Sequence, residues 1–141
     1  MGVKVDGYCS DMTRVVFFGP PSPRLHEIYR IVLEANRRAL AGLRAGLTGH
    51  EGDRLARRVI EKAGYGKRFG HGTGHSLGLT VHETVALRSG GKEVLRPGMV
   101  VTVEPGIYLP GVGGVRIEDV VVIRRNGCDV LTATPKAMAS L

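Results

Sequence analysis

Three histidines fall within twelve residues of the stretch GHGTGHSLGLTVHE (70–83): His71, His75 and His82. Gly70, Gly72, Gly74 and Gly78 are threaded among them. Histidine is the common metal ligand and acid/base near neutral pH. Glycine lets a backbone turn tightly and approach a ligand closely. Three acids stand in strand-like surroundings elsewhere: Asp11 in YCSDMTRVV, Glu104 at the end of VVTVE, and Glu118 in VRIEDVVV. A carboxylate in an apolar strand is costly unless it is paired or metal-bound. Carboxylates with one imidazole suit Mn²⁺, Fe²⁺, Co²⁺ or Zn²⁺. A pair of such ions stabilises the attacking and leaving groups of a hydrolysis. No HExxH helix is present, which argues against the single-zinc protease pattern. Each acid also has an ordinary explanation: a hairpin salt bridge for Asp11, a strand-end surface residue for Glu104, a solvated edge pair for Glu118 and Asp119. Taken together they point to metal-dependent hydrolysis.

These residues need elements to position them. Residues 3–18 read as a β-hairpin about Asp6-Gly7, which places Asp11 mid-strand. Ser22 offers an N-cap with Pro23 at the first helical position. Leu25, Ile28, Tyr29, Val32, Ala35, Ala39, Leu40 and Leu43 then recur at helical spacing, and that helix is expected to close near Gly46. Thr48 and Glu51 form a capping box for a second helix, with Leu55, Val59 and Ile60 on one face and Gly64 as its stop. The Gly/His stretch reads as loops around a short strand. Residues 99–106 and 114–125 read as strands joined by GVGG, and Asn126-Gly127 leads into a last strand. Glu118 and Asp119 must point to opposite faces, so one can face a site while the other meets solvent. The fold class is α+β, with two helices followed by an antiparallel sheet.

Composition sets outer bounds. The chain has 141 residues and a net charge of +7. Its basic residues cluster between Arg24 and Arg68, interleaved with Glu27, Glu34, Glu51, Asp53 and Glu61, and read as solvated helix faces. Aromatics are 5% with no stacking pattern, so nucleic acid is not an expected partner. No apolar run reaches membrane-spanning length, and the N-terminus lacks the apolar core of a signal peptide, so the expected location is the cytoplasm. Cys9 and Cys128 read as small buried apolar residues, without a disulfide.

The motifs GYCSDMTR (7–14), FGHGTGHSLGLTVHE (69–83), LRPGMVVTVEPGIYLPG (95–111) and GGVRIEDVVVI (113–123) resemble, in order, those of the pita-bread metallopeptidases. Within that group they are most similar to Xaa-Pro aminopeptidases and Xaa-Pro dipeptidases (prolidases). The resemblance implies a pita-bread fold with two helices packed on a curved antiparallel sheet. It implies two divalent metal ions (Mn²⁺, Co²⁺ or Zn²⁺), with Asp11, His75, Glu104 and Glu118 among the ligands. It gives His71 and His82 to substrate binding and transition-state stabilisation, and Glu104 to the proton of the attacking water. Arg116 and Thr13 would orient the ligand carboxylates from outside the ligand set. The implied substrate is a small peptide with proline in the second position.

The family's first metal-binding Asp lies in a D-x-G strand, whose glycine corresponds to Gly2 here, so that Asp would precede Met1. Residues 1–141 are therefore expected to be the C-terminal portion of a catalytic domain, lacking its first half and the N-terminal domain. One metal position is expected to be weakened. The chain is expected to form a homo-oligomer or to pair with a partner that supplies the missing half. The alternatives are a creatinase-like or methionine aminopeptidase-like hydrolase, or a non-catalytic module binding acidic partners on the same scaffold.

Overall fold

The computed structural model describes residues 1–140. Two helices lie along one side of a set of short antiparallel ribbons. The chain opens with β1 (Lys4–Val5) and β2 (Tyr8–Cys9), which pair antiparallel about Asp6 and Gly7. Both turn residues have positive φ, 48° and 87°, as a two-residue hairpin turn requires. The hairpin is shorter than its sequence suggests. Beyond Cys9 no regular strand follows, but backbone hydrogen bonds from Ser10 to Val3 and from Met12 to Met1, both 2.9 Å, carry the pairing on, and a bridge joins Thr13 to Glu118 before β3 (Val16–Phe17). Asp11 therefore lies outside a regular strand, between two residues, Ser10 and Met12, that still bond to the opening segment.

Helix α1 (Pro23–Gly42) begins as expected, with Ser22 accepting from the Leu25 amide and Pro23 in the first turn. It ends before Gly46, because Leu43 is already extended. Its inner face buries Ile28, Val32, Ala35 and Ala39, and also the polar Asn36. Helix α2 (Gly49–Lys62) carries the complete Thr48/Glu51 capping box. Gly64 follows it at φ 84°, a left-handed stop that suits glycine. Asp53 lies on the buried face of α2, fully enclosed, with Arg57 one turn on. This pair departs from the expected solvated face.

A 3₁₀ turn at Gly66–Arg68 leads into the histidine stretch. There β4 (Gly74–His75) pairs antiparallel with β5 (Ala86–Leu87). The central ribbon is β6 (Val100–Val103), followed by β7 (Gly106–Leu109), β8 (Gly113–Arg116), β9 (Asp119–Arg124) and β10 (Gly127–Val130). Strand β9 stands between β6 and β10, and the register pairs Val103 with Asp119 and Val101 with Val121. The expected single strand over 114–125 is two strands, and β7 is an extra strand hydrogen-bonded to β8. Pro105 explains the break after β6, since it donates no backbone N–H. Strand β11 (Ala139–Ser140) runs parallel to β3.

The core lies between helices and ribbons: Ile28, Val32, Leu43 and Ile60 pack against Val101, Val103, Ile107, Ile117 and Ile123. Cys9 and Cys128 are free thiols in partly buried positions. No helix among the described residues is long and apolar enough to cross a membrane.

Candidate metal centre

Four separate segments converge on one point. Asp11 comes from the irregular segment after β2, His75 from β4, Glu104 from the residue after β6, and Glu118 from the bridge between β8 and β9. Ligand atoms of Asp11, His75 and Glu118 all lie within 4.8 Å of one another. His75 Nε2 is 3.2 Å from Glu104 Oε1, which joins the fourth residue to the group. These are oxygen and imidazole donors, the set that a hard or borderline divalent cation takes. The residues present therefore fit such an ion.

Close packing holds the donors in place. A Cβ at Gly74 would collide with the Thr102 carbonyl, so glycine there lets β4 lie directly on β6. The Thr102 hydroxyl accepts from the His75 amide at 2.9 Å and donates to Glu104 Oε1 at 3.1 Å. Thr13 donates to Glu118 Oε2 at 2.5 Å, and Arg116 Nε donates to the Thr13 hydroxyl at 3.0 Å. The Arg116 guanidinium stands 3.9 Å from Glu104 and 4.0 Å from Glu118. Thr13 thus bonds Glu118 directly, and Arg116 reaches it through the Thr13 hydroxyl.

Electrostatics inside the group are unequal. Burial pulls the His75 pKa down, but its hydrogen bonds to Glu104 and Ser76 and the nearby Glu104 and Asp11 charges more than offset this, and the net direction is upward. Burial pushes Glu104 up, yet the His75, Thr102 and Arg116 contacts leave it below the ordinary carboxylate value. Glu118, 1% exposed, goes the other way: burial raises it, the Glu104 and Asp11 carboxylates add to that, and Thr13 only partly opposes them. The crowd of acids is short of positive charge, and a bound cation would remove that deficit.

The three histidines are not equivalent. His75 turns Nδ1 to the Ser76 carbonyl at 3.2 Å, which leaves Nε2 as its ligand atom. His71 turns Nδ1 to the Gly72 carbonyl and Nε2 to the Tyr108 hydroxyl, both at 2.8 Å. A carbonyl only accepts, so the neutral His71 ring carries its proton on Nδ1 and accepts from Tyr108. The His82 ring lies against that of His75, tilted by 48° with centroids 4.2 Å apart, and its ring nitrogens make no hydrogen bond among the described residues. His71, His75, His82, Glu104 and Arg116 line a cleft of about 340 Å³.

Asp119 corrects one expectation. It does face away from Glu118, but it is fully buried and meets no solvent. It accepts from Arg14 at 2.7 Å, Lys136 at 2.7 Å, Thr132 at 2.7 Å and Asn36 at 3.0 Å. Burial would raise its pKa, and these donors hold it below the ordinary value. Arg14 also donates to the Glu118 carbonyl, so this hub fixes the backbone that presents Glu118. Sequence reasoning passed over Arg14, Asn36 and Tyr108. The adjacency of Arg14 to Thr13 and of Asp119 to Glu118 was the available signal.

The family model for metallopeptidase family M24 matches residues 1–125. An Xaa-Pro dipeptidase of Pyrococcus horikoshii is 45% identical over 138 residues, covering 98% of this chain and 39% of that protein. Among solved structures, an Xaa-Pro dipeptidase from Bacillus anthracis superposes with a TM-score of 0.95 at 54% identity, covering 96% of this chain and 38% of that one. An X-Pro aminopeptidase from Thermotoga maritima gives a TM-score of 0.96 at 46% identity, covering 99% and 39%. The chain therefore spans about two fifths of the length of the relatives it matches. The expected α+β pita-bread architecture, with two helices on antiparallel ribbons, is the fold of these neighbours. By family model, sequence and fold, the chain belongs to metallopeptidase family M24.

Proposed function

We propose that this chain is the C-terminal portion of a catalytic domain that hydrolyses the peptide bond before proline in small peptides in the cytoplasm. The observation that carries this reading is the convergence of Asp11, His75, Glu104 and Glu118 beside a cleft lined by His71 and His82. The Xaa-Pro names of its relatives supply the substrate class. Asp11, His75, Glu104 and Glu118 would hold two divalent ions, Mn²⁺, Co²⁺ or Zn²⁺. Bound there, such ions supply Lewis acidity and lower the pKa of water.

The protein's own groups do the rest. Glu104 is kept ionised by its neighbours, so it can take the proton of the attacking water and return it to the departing nitrogen. His82, with its ring nitrogens uncommitted, donates to the scissile carbonyl oxygen as charge develops there. His71 can join in donation from Nε2 only when that nitrogen is protonated, since the neutral ring accepts there. Thr13 and Arg116 keep the two glutamates aimed.

An apolar groove of about 650 Å³, lined by Leu77, Met99, Val100, Val120 and Leu131 among others, supports a further element of the reading. A second copy or a separate polypeptide would cover this face, which suits an apolar surface better than water.

Turnover of an Xaa-Pro peptide panel by the purified chain with added Mn²⁺ or Co²⁺, beside a Glu104→Ala control, tests the proposal. Proline-dependent hydrolysis that vanishes in the control supports it. Equal rates in both proteins, or cleavage indifferent to proline, refute it.

A further inference from the structure

We propose that Asp53 and Arg57 of α2 are positioning residues that hold His71 and Glu104 in mutual register from behind the cleft. The proposal rests on the hydrolase reading above. Asp53 is fully enclosed, and the Arg57 side chain is 15% exposed. Arg57 Nε and Nη2 bind the two Asp53 oxygens at 2.6 and 3.1 Å. The guanidinium spends its remaining donors on the histidine loop: Nη2 donates to the His71 carbonyl at 2.6 Å and Nη1 to the Phe69 carbonyl at 3.1 Å. It also lies 4.2 Å from the centre of the Phe69 ring, which meets the His71 ring edge to face at 5.0 Å.

Asp53 works two residues further along the loop, at Thr73. Its Oδ1 accepts from the Thr73 amide at 3.0 Å and the Thr73 hydroxyl at 2.8 Å. The Thr73 carbonyl in turn accepts from the Glu104 amide at 2.7 Å. One ion pair on one helix thus fixes the backbone of His71 and, through Thr73, the backbone of Glu104. Neither Asp53 nor Arg57 reaches the cleft group itself.

Stability alone is a weak reason for such a pair. A buried ion pair carries a large desolvation cost, and apolar side chains of similar volume often serve the fold equally well. Apolar side chains cannot donate to two carbonyls and accept from Thr73 at once. Charge and planar geometry are needed for that task, and the planar fork of arginine suits it better than the point charge of lysine.

The test uses the full chain, its Arg57→Met and Arg57→Lys variants, and Asp53→Asn. Three readouts are taken: thermal melting, Xaa-Pro hydrolysis with Mn²⁺, and the imidazole ¹⁵N resonances of His71. Arg57→Met is expected to melt cooperatively, to lose about 10–100-fold in kcat with KM little changed, and to lose the Nδ1-protonated signature of His71. Arg57→Lys should recover part of both losses. A folded Arg57→Met whose His71 resonances and kcat match the parent would overturn the proposal. So would failure of both Arg57 variants and Asp53→Asn to fold, which would assign the pair to stability alone. If the parent itself turns nothing over, the hydrolase reading fails, and the His71 resonances alone decide whether the pair sets the register.

Discussion

His75 and Glu104 face each other at 3.2 Å across strands β4 and β6, the imidazole Nε2 against a carboxylate oxygen. Without a cation, that contact is an ion pair when His75 is protonated. Its net pKa directions follow, His75 upward and Glu104 downward. The stability drawn from raised His75 is full below the ordinary value of 6.5 and is lost as pH rises through the folded value. The stability drawn from depressed Glu104 is full above 4.5 and is lost as pH falls through its folded value. The metal-free chain should therefore gain most from this pair between pH 4.5 and 6.5. Urea melts of the parent and Glu104→Gln across that range measure it. The gap between them should narrow above the His75 titration.

Cation binding should run the other way. A metal needs the Nε2 lone pair, so a proton on His75 competes with it. Affinity for Co²⁺ should fall as pH drops through the His75 titration, and binding should release protons into the buffer. Calorimetry in two buffers of different ionisation heat reads that release.

Asp119 should be costly to lose. Asp119→Ala strands Arg14 and Lys136 beside a fully buried vacancy and frees the backbone behind Glu118. Removing one partner of a buried ion pair costs about 3–5 kcal/mol. Chemical denaturation of the variant should show a loss of that size. A loss no larger than that of an exposed pair, such as Arg38–Glu34, would contradict the hub.

The capping box gives a smaller, local effect. Thr48→Ala removes the hydroxyl that accepts from the Glu51 amide, at a cost of about 1 kcal/mol. The melting temperature should drop by a few degrees, with cation binding unchanged. Gly74→Ala should be far more damaging, because its methyl would push β4 off the Thr102 carbonyl.

Local chemistry was the most legible part of the sequence. Ser22-Pro23, Thr48/Glu51, Gly64 and Asp6-Gly7 each stand where their own residue type dictates. The motif acids and histidines were legible as a set, and the fold brings Asp11, His75, Glu104 and Glu118 together. Strand continuity was not. The regular strands stop at Cys9, looser backbone bonds run on to Met12, and Thr13 then bridges to Glu118, a partner more than a hundred residues away. Asp53 and Arg57 have the spacing of an ordinary exposed helix pair, and only the loop folded over them from 69–73 buries them. Asp119 reads as solvated until α1 and the segment at Thr132–Lys136 close over it.

The central claim is that Asp11, His75, Glu104 and Glu118 together form a centre that binds divalent cations. Titration of the purified chain with Co²⁺, followed by visible absorbance and calorimetry, tests it most directly beside His75→Ala and Glu118→Gln. The account predicts saturable binding by the parent and weakening by about tenfold or more in each folded variant. Binding of equal strength in all three proteins, or none in the folded parent, would contradict it.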